Sequence, residues 1–287
     1  MASPEQMRQQ VIFIAGLGHS GTTLLDLMLG GHSRMVGLGE VDRTLAANKP
    51  SAPPSSESPG CACGEKEAGC RLWGEVTKQI EAGNIQDPHQ RYSRVLDVLG
   101  TLHGRRIIAV DSSKRLQALE TLRTHPNLDV RVIFLVRDVR SFIVSSLDNI
   151  SRKRRTTPEY PALSRFGQAR LWARENQRIR DYLVHHALPF FQLGYEELCM
   201  KPEAVTRRLC AFLALDWEPT MLDLSRSRSH VLRGNRMRFK AGSTGLNYDL
   251  RWFTRHEWHW PWLLHPGLRR LNRELVYNHS DSDPASS

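Results

Sequence analysis

Apolar runs of strand length stop abruptly at small or charged residues at three places along the chain. Val11 to Ala15, VIFIA, runs into GLGHSGTT and then into LLDLMLG, whose apolar positions have helical spacing. Ile107 to Asp111 reads as a second strand and ends in Asp111-Ser112-Ser113-Lys114; Arg131 to Val136, RVIFLV, reads as another and ends in Arg137-Asp138-Val139-Arg140 before the helical SFIVSSL. Continuous apolar runs without alternation suit strands covered on both faces, which belong to parallel sheets with helical crossovers. A periodic stretch from about Phe166 to His186 and the aromatic block Arg251 to Leu264 are expected to pack around that sheet. The expectation is a three-layer α/β/α fold with a central, mostly parallel sheet. Ligands of such sheets sit beyond the carboxyl ends of the strands, here the first and about the fourth.

The first strand end has the build of a phosphate cradle, because a helix start carries unpaired N–H groups and about half a positive charge, and glycines let an anion approach them. Three readings fit the residues. Gly16, Gly18 and Gly21 match a dinucleotide fingerprint, with Glu40 and Asp42 about twenty residues on. Leu24 and Leu25, however, stand where that helix usually carries a small residue. Gly16, Gly21 and Thr23 match the Walker A pattern, except that Thr22 replaces the lysine that reaches β- and γ-phosphates. The third reading is a nucleotide with a shorter anionic 5′ chain, gripped by Ser20, Thr22 and Thr23 with His19 above it.

The second strand end adds Arg137 and, eight residues on, Ser145, which can close on one phosphate from two sides. With both junctions in view, the chain resembles the sulfotransferase superfamily that uses 3′-phosphoadenosine 5′-phosphosulfate (PAPS). His19-Ser20-Gly21-Thr22-Thr23 is similar to its x-S-G-T-T turn, and Arg137 through Ser145 to its R-D-x-R-x-x-x-x-S segment. The likeness extends over about 240 residues, including Ile107–Lys114, the stretch from Phe190 through Tyr195 to a packing helix, and His230–Arg238 as a basic glycine loop. It implies a P-loop NTPase-like topology. It also implies that Gly18, His19, Ser20, Gly21, Thr22 and Thr23 hold the 5′-phosphosulfate, Arg137 and Ser145 the 3′-phosphate, and Gly234 and Arg238 the nucleotide. The implied reaction is in-line transfer of a sulfuryl group to a hydroxyl or amine, leaving adenosine 3′,5′-bisphosphate, with no metal required. Where cytosolic members carry lysine and many others arginine, this chain has His19, whose imidazole can hydrogen-bond the leaving oxygen. Glu40 is the candidate base, since some members place a glutamate shortly after the first helix. His32 and His103 read as structural.

Two other classes stay open on the sequence: a Rossmann-type NAD(P)-dependent oxidoreductase, and a non-catalytic nucleotide- or polyanion-binding protein. The 287 residues, 40% hydrophobic and 24% charged, suit one domain over 1–280 with an insertion at 45–72 and a disordered tail at 281–287. A net charge of +10 favours anionic ligands. No helix-turn-helix, RNA-recognition or zinc-finger pattern accompanies it, so nucleic acid is not expected as a partner. The run Arg152-Lys153-Arg154-Arg155 reads as a solvated face.

The polar opening MASPEQMRQQ and the interrupted apolar block after it predict neither a membrane span nor a secretory segment, hence a cytoplasmic protein. A hydroxyl-bearing carbohydrate, lipid or small natural product is the expected acceptor, and self-association into a homo-oligomer is left open. Cys61, Cys63 and Cys70, C-x-C-x6-C ahead of Trp73, read as unpaired loop thiols. Zinc with a fourth ligand such as His89, or one disulfide, are the alternatives.

Overall fold

The computed structural model describes residues 8–46, 60–161, 164–232 and 248–278. The chain divides into two compact units, one of Met1–Ala15, Thr23–Val132 and Leu213–Gly245, the other of Gly16–Thr22, Ile133–Phe212 and Leu246–Ser287. The strands are β1 (Gln9–Ala15), β2 (Met35–Gly39), β3 (Ile108–Lys114), β4 (Leu128–Val136) and β5 (Phe190–Gly194), and they form one sheet in the order β2-β3-β1-β4-β5. β3 pairs in parallel with both β1 and β2, setting Val11 opposite Ala109 and Met35 opposite Ile108. Parallel neighbours require crossovers, and helices supply them between successive strands. This is the mostly parallel α/β fold that the apolar runs predict. No helix among the described residues is long and apolar enough to cross a membrane.

In the first unit, α1 (Thr22–Gly30) joins β1 to β2 and buries Leu24, Leu25, Leu27, Met28 and Leu29 almost completely. A helix apolar all round belongs inside, and this one sits in the core. Between β2 and β3 come α2 (Val41–Ala46), α3 (Trp73–Ala82) and α4 (Pro88–His103). Asp87 caps α4 by accepting from Gln90 N at 2.8 Å, with Pro88 in the first turn. α5 (Leu116–Arg123) leads from β3 to β4 and turns Ala118, Leu119 and Leu122 inward.

β2, MVGLG, is the strand that the hydrophobic pattern does not announce. A Cβ on Gly37 would lie 2.1 Å from Asp26 Oδ1 and 2.7 Å from Ser229 Oγ, so only glycine permits this approach. The other edge contact of β2 is a short parallel bridge from Gly37 to Ser229, with His230 N–H donating to Gly37 O at 2.7 Å. Asp26 Oδ2 accepts from Gly39 N at 3.1 Å, and full burial pushes the Asp26 carboxyl up to about 7.

The second unit is built around α6 (Val139–Thr156), α7 (Arg165–His185), α8 (Tyr195–Met200), α9 (Pro202–Phe212), α10 (His259–Leu264) and α11 (Pro266–Val276). Asp138, fully buried, caps α6 and takes hydrogen bonds from Arg140 N, Nε and Nη2, from Asn272 Nδ2 and from Tyr277 Oη, all at 2.8–2.9 Å. α6 is thereby fastened to α11. The Arg140 guanidinium lies 4.4 Å from the Trp252 ring, 4.6 Å from Trp262 and 5.7 Å from Trp258. Three of the four tryptophans of the aromatic block thus lie over a cation of their own chain, while Trp260 is exposed. Farther along α6 the surface is exposed and carries Arg152 to Arg155, the solvated face expected.

Candidate functional site

The turn between β1 and α1 belongs to the second unit. Ser20 N–H closes it on Leu17 O at 3.3 Å. Gly21 has φ +92°, and a Cβ there would stand 2.4 Å from the Tyr195 ring, so both conformation and contact demand glycine. His19 takes a left-handed φ of 72°, a strained conformation for a side-chain-bearing residue. Ser20 is fully buried, and its Oγ has no hydrogen-bond partner among the described residues. Such a hydroxyl costs stability unless a ligand or water completes it. Thr22 and Thr23 open α1 and are buried, while Gly18 is exposed with free space where a Cβ would go.

Arg137 follows β4 directly, and its buried guanidinium is held from three sides. Nε donates to Ser141 Oγ at 2.7 Å, Nη1 to the His19 carbonyl at 2.9 Å and Nη2 to Asp249 Oδ2 at 2.8 Å; Cζ lies 4.6 Å from the Tyr195 ring centroid. The two sequence-predicted junctions therefore meet, through the His19 carbonyl and through Tyr195. Burial pushes the Asp249 carboxyl up, but hydrogen bonds from Arg251 and Arg137 outweigh it and hold it well below the usual carboxylate range. Arg137 accordingly rests against an ionised carboxylate of its own chain. Ser145 is buried on α6, but the serine bonded to Arg137 is Ser141, one turn earlier. The spacing Arg137 to Ser141 is readable from sequence; Asp249, 112 residues away, is not. Next to this knot, Glu196 accepts from Asp138 N at 3.1 Å, and burial, followed by the Asp138 charge, pushes its carboxyl up to about 7.

Glu40 lies in the first unit, between the end of β2 and α2, and is buried. Its Oε2 accepts from Arg43 Nη1 at 2.7 Å, and its Oε1 forms a short ion pair with Lys114 Nζ. Burial pushes the carboxyl up, but the charge and hydrogen bond of Lys114, then those of Arg43, prevail and keep it below its ordinary value. Lys114 ends β3 in a left-handed conformation, φ 69°. Lys114 is not among the site residues that the sequence suggests, although a lysine directly after a strand-end Asp-Ser-Ser is a visible signal. His32 is a structural residue, as expected: Nδ1 accepts from Arg34 N at 3.0 Å, and Nε2 lies 2.8 Å from the Asp216 carbonyl. Gly234 and Arg238 lie outside the described residues.

Among solved structures, the chain is similar to the sulfotransferase domain from the olefin synthase of Synechococcus PCC 7002, with 19% identity, a TM-score of 0.56, and 96% of this chain and 98% of that one covered. It is also similar to the sulfotransferase domain from the curacin biosynthetic pathway, with 21% identity, a TM-score of 0.55, and 93% and 97% covered. At such identity the likeness establishes a shared fold. A comparison with curated proteins gives no match. The model of the sulfotransferase family matches residues 11–219, from the first residue of the apolar run in β1 past the end of α9, and the chain belongs to that family.

Proposed function

We propose that this sulfotransferase moves the sulfuryl group of PAPS to a hydroxyl-bearing acceptor. The observation that carries the reading is the buried Ser20 hydroxyl, without a partner among the described residues, in a glycine turn at a helix start tied to Arg137 through the His19 carbonyl. Ser20, Gly21, Thr22 and Thr23, with Gly18 and His19, would grip the 5′-phosphosulfate. Arg137 would hold the 3′-phosphate with Ser145, and Ser141 keeps its guanidinium oriented. Gly234 and Arg238 complete the assignment on the nucleotide side.

In the transfer, the acceptor oxygen attacks sulfur as the bond from sulfur to the bridging oxygen breaks, and adenosine 3′,5′-bisphosphate leaves. Positioning and charge stabilisation supply most of the acceleration. His19 would donate to the leaving oxygen. Glu40, held ionised by Lys114 and Arg43, would take the hydroxyl proton; those cations make it a weak base and keep it charged at neutral pH. Lys114 acts here through Glu40, as a positioning residue.

A thermal-shift panel with adenosine 3′,5′-bisphosphate, ATP with magnesium, NAD and NADP tests the donor. At about a hundred times its dissociation constant a ligand stabilises the fold by roughly 2.7 kcal/mol, or roughly 5–10 °C here. A shift with the bisphosphate alone is expected, and a shift only with NAD or NADP overturns the reading. Glu40→Gln should lower kcat roughly a hundredfold with bisphosphate affinity retained. Unchanged turnover removes Glu40 from the chemistry.

A further inference from the structure

Cys61, Cys63 and Cys70 converge in the first unit, and a histidine 160 residues from Cys70 completes the group. Cys61 and Cys63 flank a tight turn in which Gly64 N–H donates to Cys61 O at 2.9 Å and Cys61 N–H to Glu65 O at 2.6 Å. A single 3-10 turn, Glu67–Gly69, then brings Cys70 back over it. Cys70 Sγ lies 3.7 Å from Cys61 Sγ, 3.8 Å from Cys63 Sγ and 3.3 Å from His230 Nδ1, and Cys61 Sγ is 4.0 Å from that nitrogen. All four donor atoms fall within 4.8 Å of one another.

Four of the six separations, 3.3–4.0 Å, lie near the edges of a metal tetrahedron, and the remaining two are no longer than 4.8 Å. With bonds of about 2.3 Å to sulfur and about 2.0–2.1 Å to nitrogen, tetrahedral zinc sets ligand sulfurs about 3.8 Å apart and a sulfur and a nitrogen about 3.6 Å apart. A disulfide requires about 2.05 Å, and none of these three cysteines is bridged. His89, the other candidate ligand, is engaged elsewhere: Nε2 is 3.1 Å from Thr124 Oγ1, and the ring meets His125 edge-on.

The two segments are also clamped independently of any ion. Ala62 N–H donates to Val231 O at 3.0 Å, and Trp73 Nε1 donates to His230 O at 2.5 Å. His230 is thus presented to the thiols by backbone that is itself paired to β2. Three soft thiolates with one imidazole select zinc over hard cations such as magnesium or calcium. Four protein ligands leave no open position for water or substrate, which marks a structural site and not a catalytic one.

We propose that Cys61, Cys63, Cys70 and His230 bind one zinc ion as a closed structural site that staples the segment 60–74 to the strand-like segment 228–232 beside β2. Binding displaces the thiol protons to solvent, and His230 coordinates through Nδ1 as the neutral ring with its proton on Nε2. No redox change is involved.

Elemental analysis of the tag-free full chain, purified under reducing conditions without chelator, tests this. One zinc per chain is expected, released when an organomercurial titrates the thiols. Exchange for cobalt should give the intense visible bands of a tetrahedral thiolate site. Cys63→Ser, at the exposed ligand, and His230→Ala should each weaken zinc roughly a hundredfold or more. His230→Cys should retain it, and Cys199→Ser, at a buried cysteine outside the cluster, should leave one zinc in place. Protein carrying less than about a tenth of a zinc per chain with three freely reactive thiols overturns the proposal. So does a disulfide among these cysteines by mass spectrometry, or unchanged zinc in both Cys63→Ser and His230→Ala. These readouts are metal content and spectra, so they stand or fall independently of the donor and acceptor assignments.

Discussion

The turns that follow β1 and β4 both bring a strand into a helix, yet they present opposite electrostatic states. After β1, Ser20 Oγ is buried without a partner among the described residues, at a helix start rich in donors. After β4, the Arg137 guanidinium is already satisfied by Ser141, the His19 carbonyl and Asp249. The first turn offers backbone donors and a buried hydroxyl, the features that the proposed function assigns to an anion. The second holds an internal carboxylate against Arg137, so under the proposed assignment of Arg137 to the 3′-phosphate, binding there would exchange one anion for another. Unfilled donors lend affinity, whereas a pre-paired cation lends selectivity, because only a ligand that outcompetes Asp249 engages it.

Gly21→Ala should break this arrangement most severely. The left-handed backbone costs a side-chain-bearing residue about 1–2 kcal/mol, and the added methyl would meet the Tyr195 ring. We expect a melting point lower by roughly 5 °C or more and no detectable bisphosphate shift; a wild-type shift would show that the turn tolerates remodelling.

Both turns have a buried carboxyl with a pH signature beside them, Asp26 on α1 after the first and Glu196 next to the second. The folded pKa of Glu196, about 7, exceeds the ordinary 4.5, so between those values the folded protein keeps a proton that the unfolded chain has lost. The Glu196 contribution to stability is therefore full below about 4.5, falls as pH rises towards 7, and is level above, a loss on the order of 3 kcal/mol from this group. Denaturant titrations from pH 4 to 8 should show the slope reduced in Glu196→Gln, with the shares of Asp26 and Asp111 remaining.

Arg137→Ala should cost adenosine 3′,5′-bisphosphate about a hundredfold in affinity and bring it close to the 5′-monophosphate, as read by calorimetry with both ligands. An equal loss for the two would detach Arg137 from the 3′-phosphate. Ser20→Ala should weaken the bisphosphate about tenfold while leaving the ligand-free melting point unchanged or slightly raised, since a buried unpaired hydroxyl is removed. Asp249→Asn has the smallest expected effect and the most telling sign. If its carboxylate competes with phosphate for Arg137, the bisphosphate binds a few-fold tighter; weaker binding would make Asp249 a support of the site.

Much of this was legible in the chain. Five-residue apolar runs such as Val11–Ala15 can bury both faces only inside a sheet, and Arg137 and Ser20 stand where such runs end. β2 was not legible, because Gly37 and Gly39 dilute its apolar signal and the need for glycine arises from Asp26 pressing on it. Ser145 stands out by its eight-residue spacing from Arg137 and by the resemblance, whereas the hydrogen bond from Arg137 goes to Ser141, which simple helical spacing places one turn nearer.

The sequence alone determined what depends on neighbours along the chain: the strand-to-helix junctions, the glycine turn, the placement of Arg137 after β4 and the close spacing of three cysteines. Tertiary structure decided every pairing across long separations: Asp249 on Arg137 over 112 residues, Lys114 on Glu40 over 74, and His230 on Cys70 over 160. Local periodicity records which face of an element is buried. It carries no information about which distant charge or ligand arrives there, since that depends on how the strands are ordered in the sheet and on where the loops between them return.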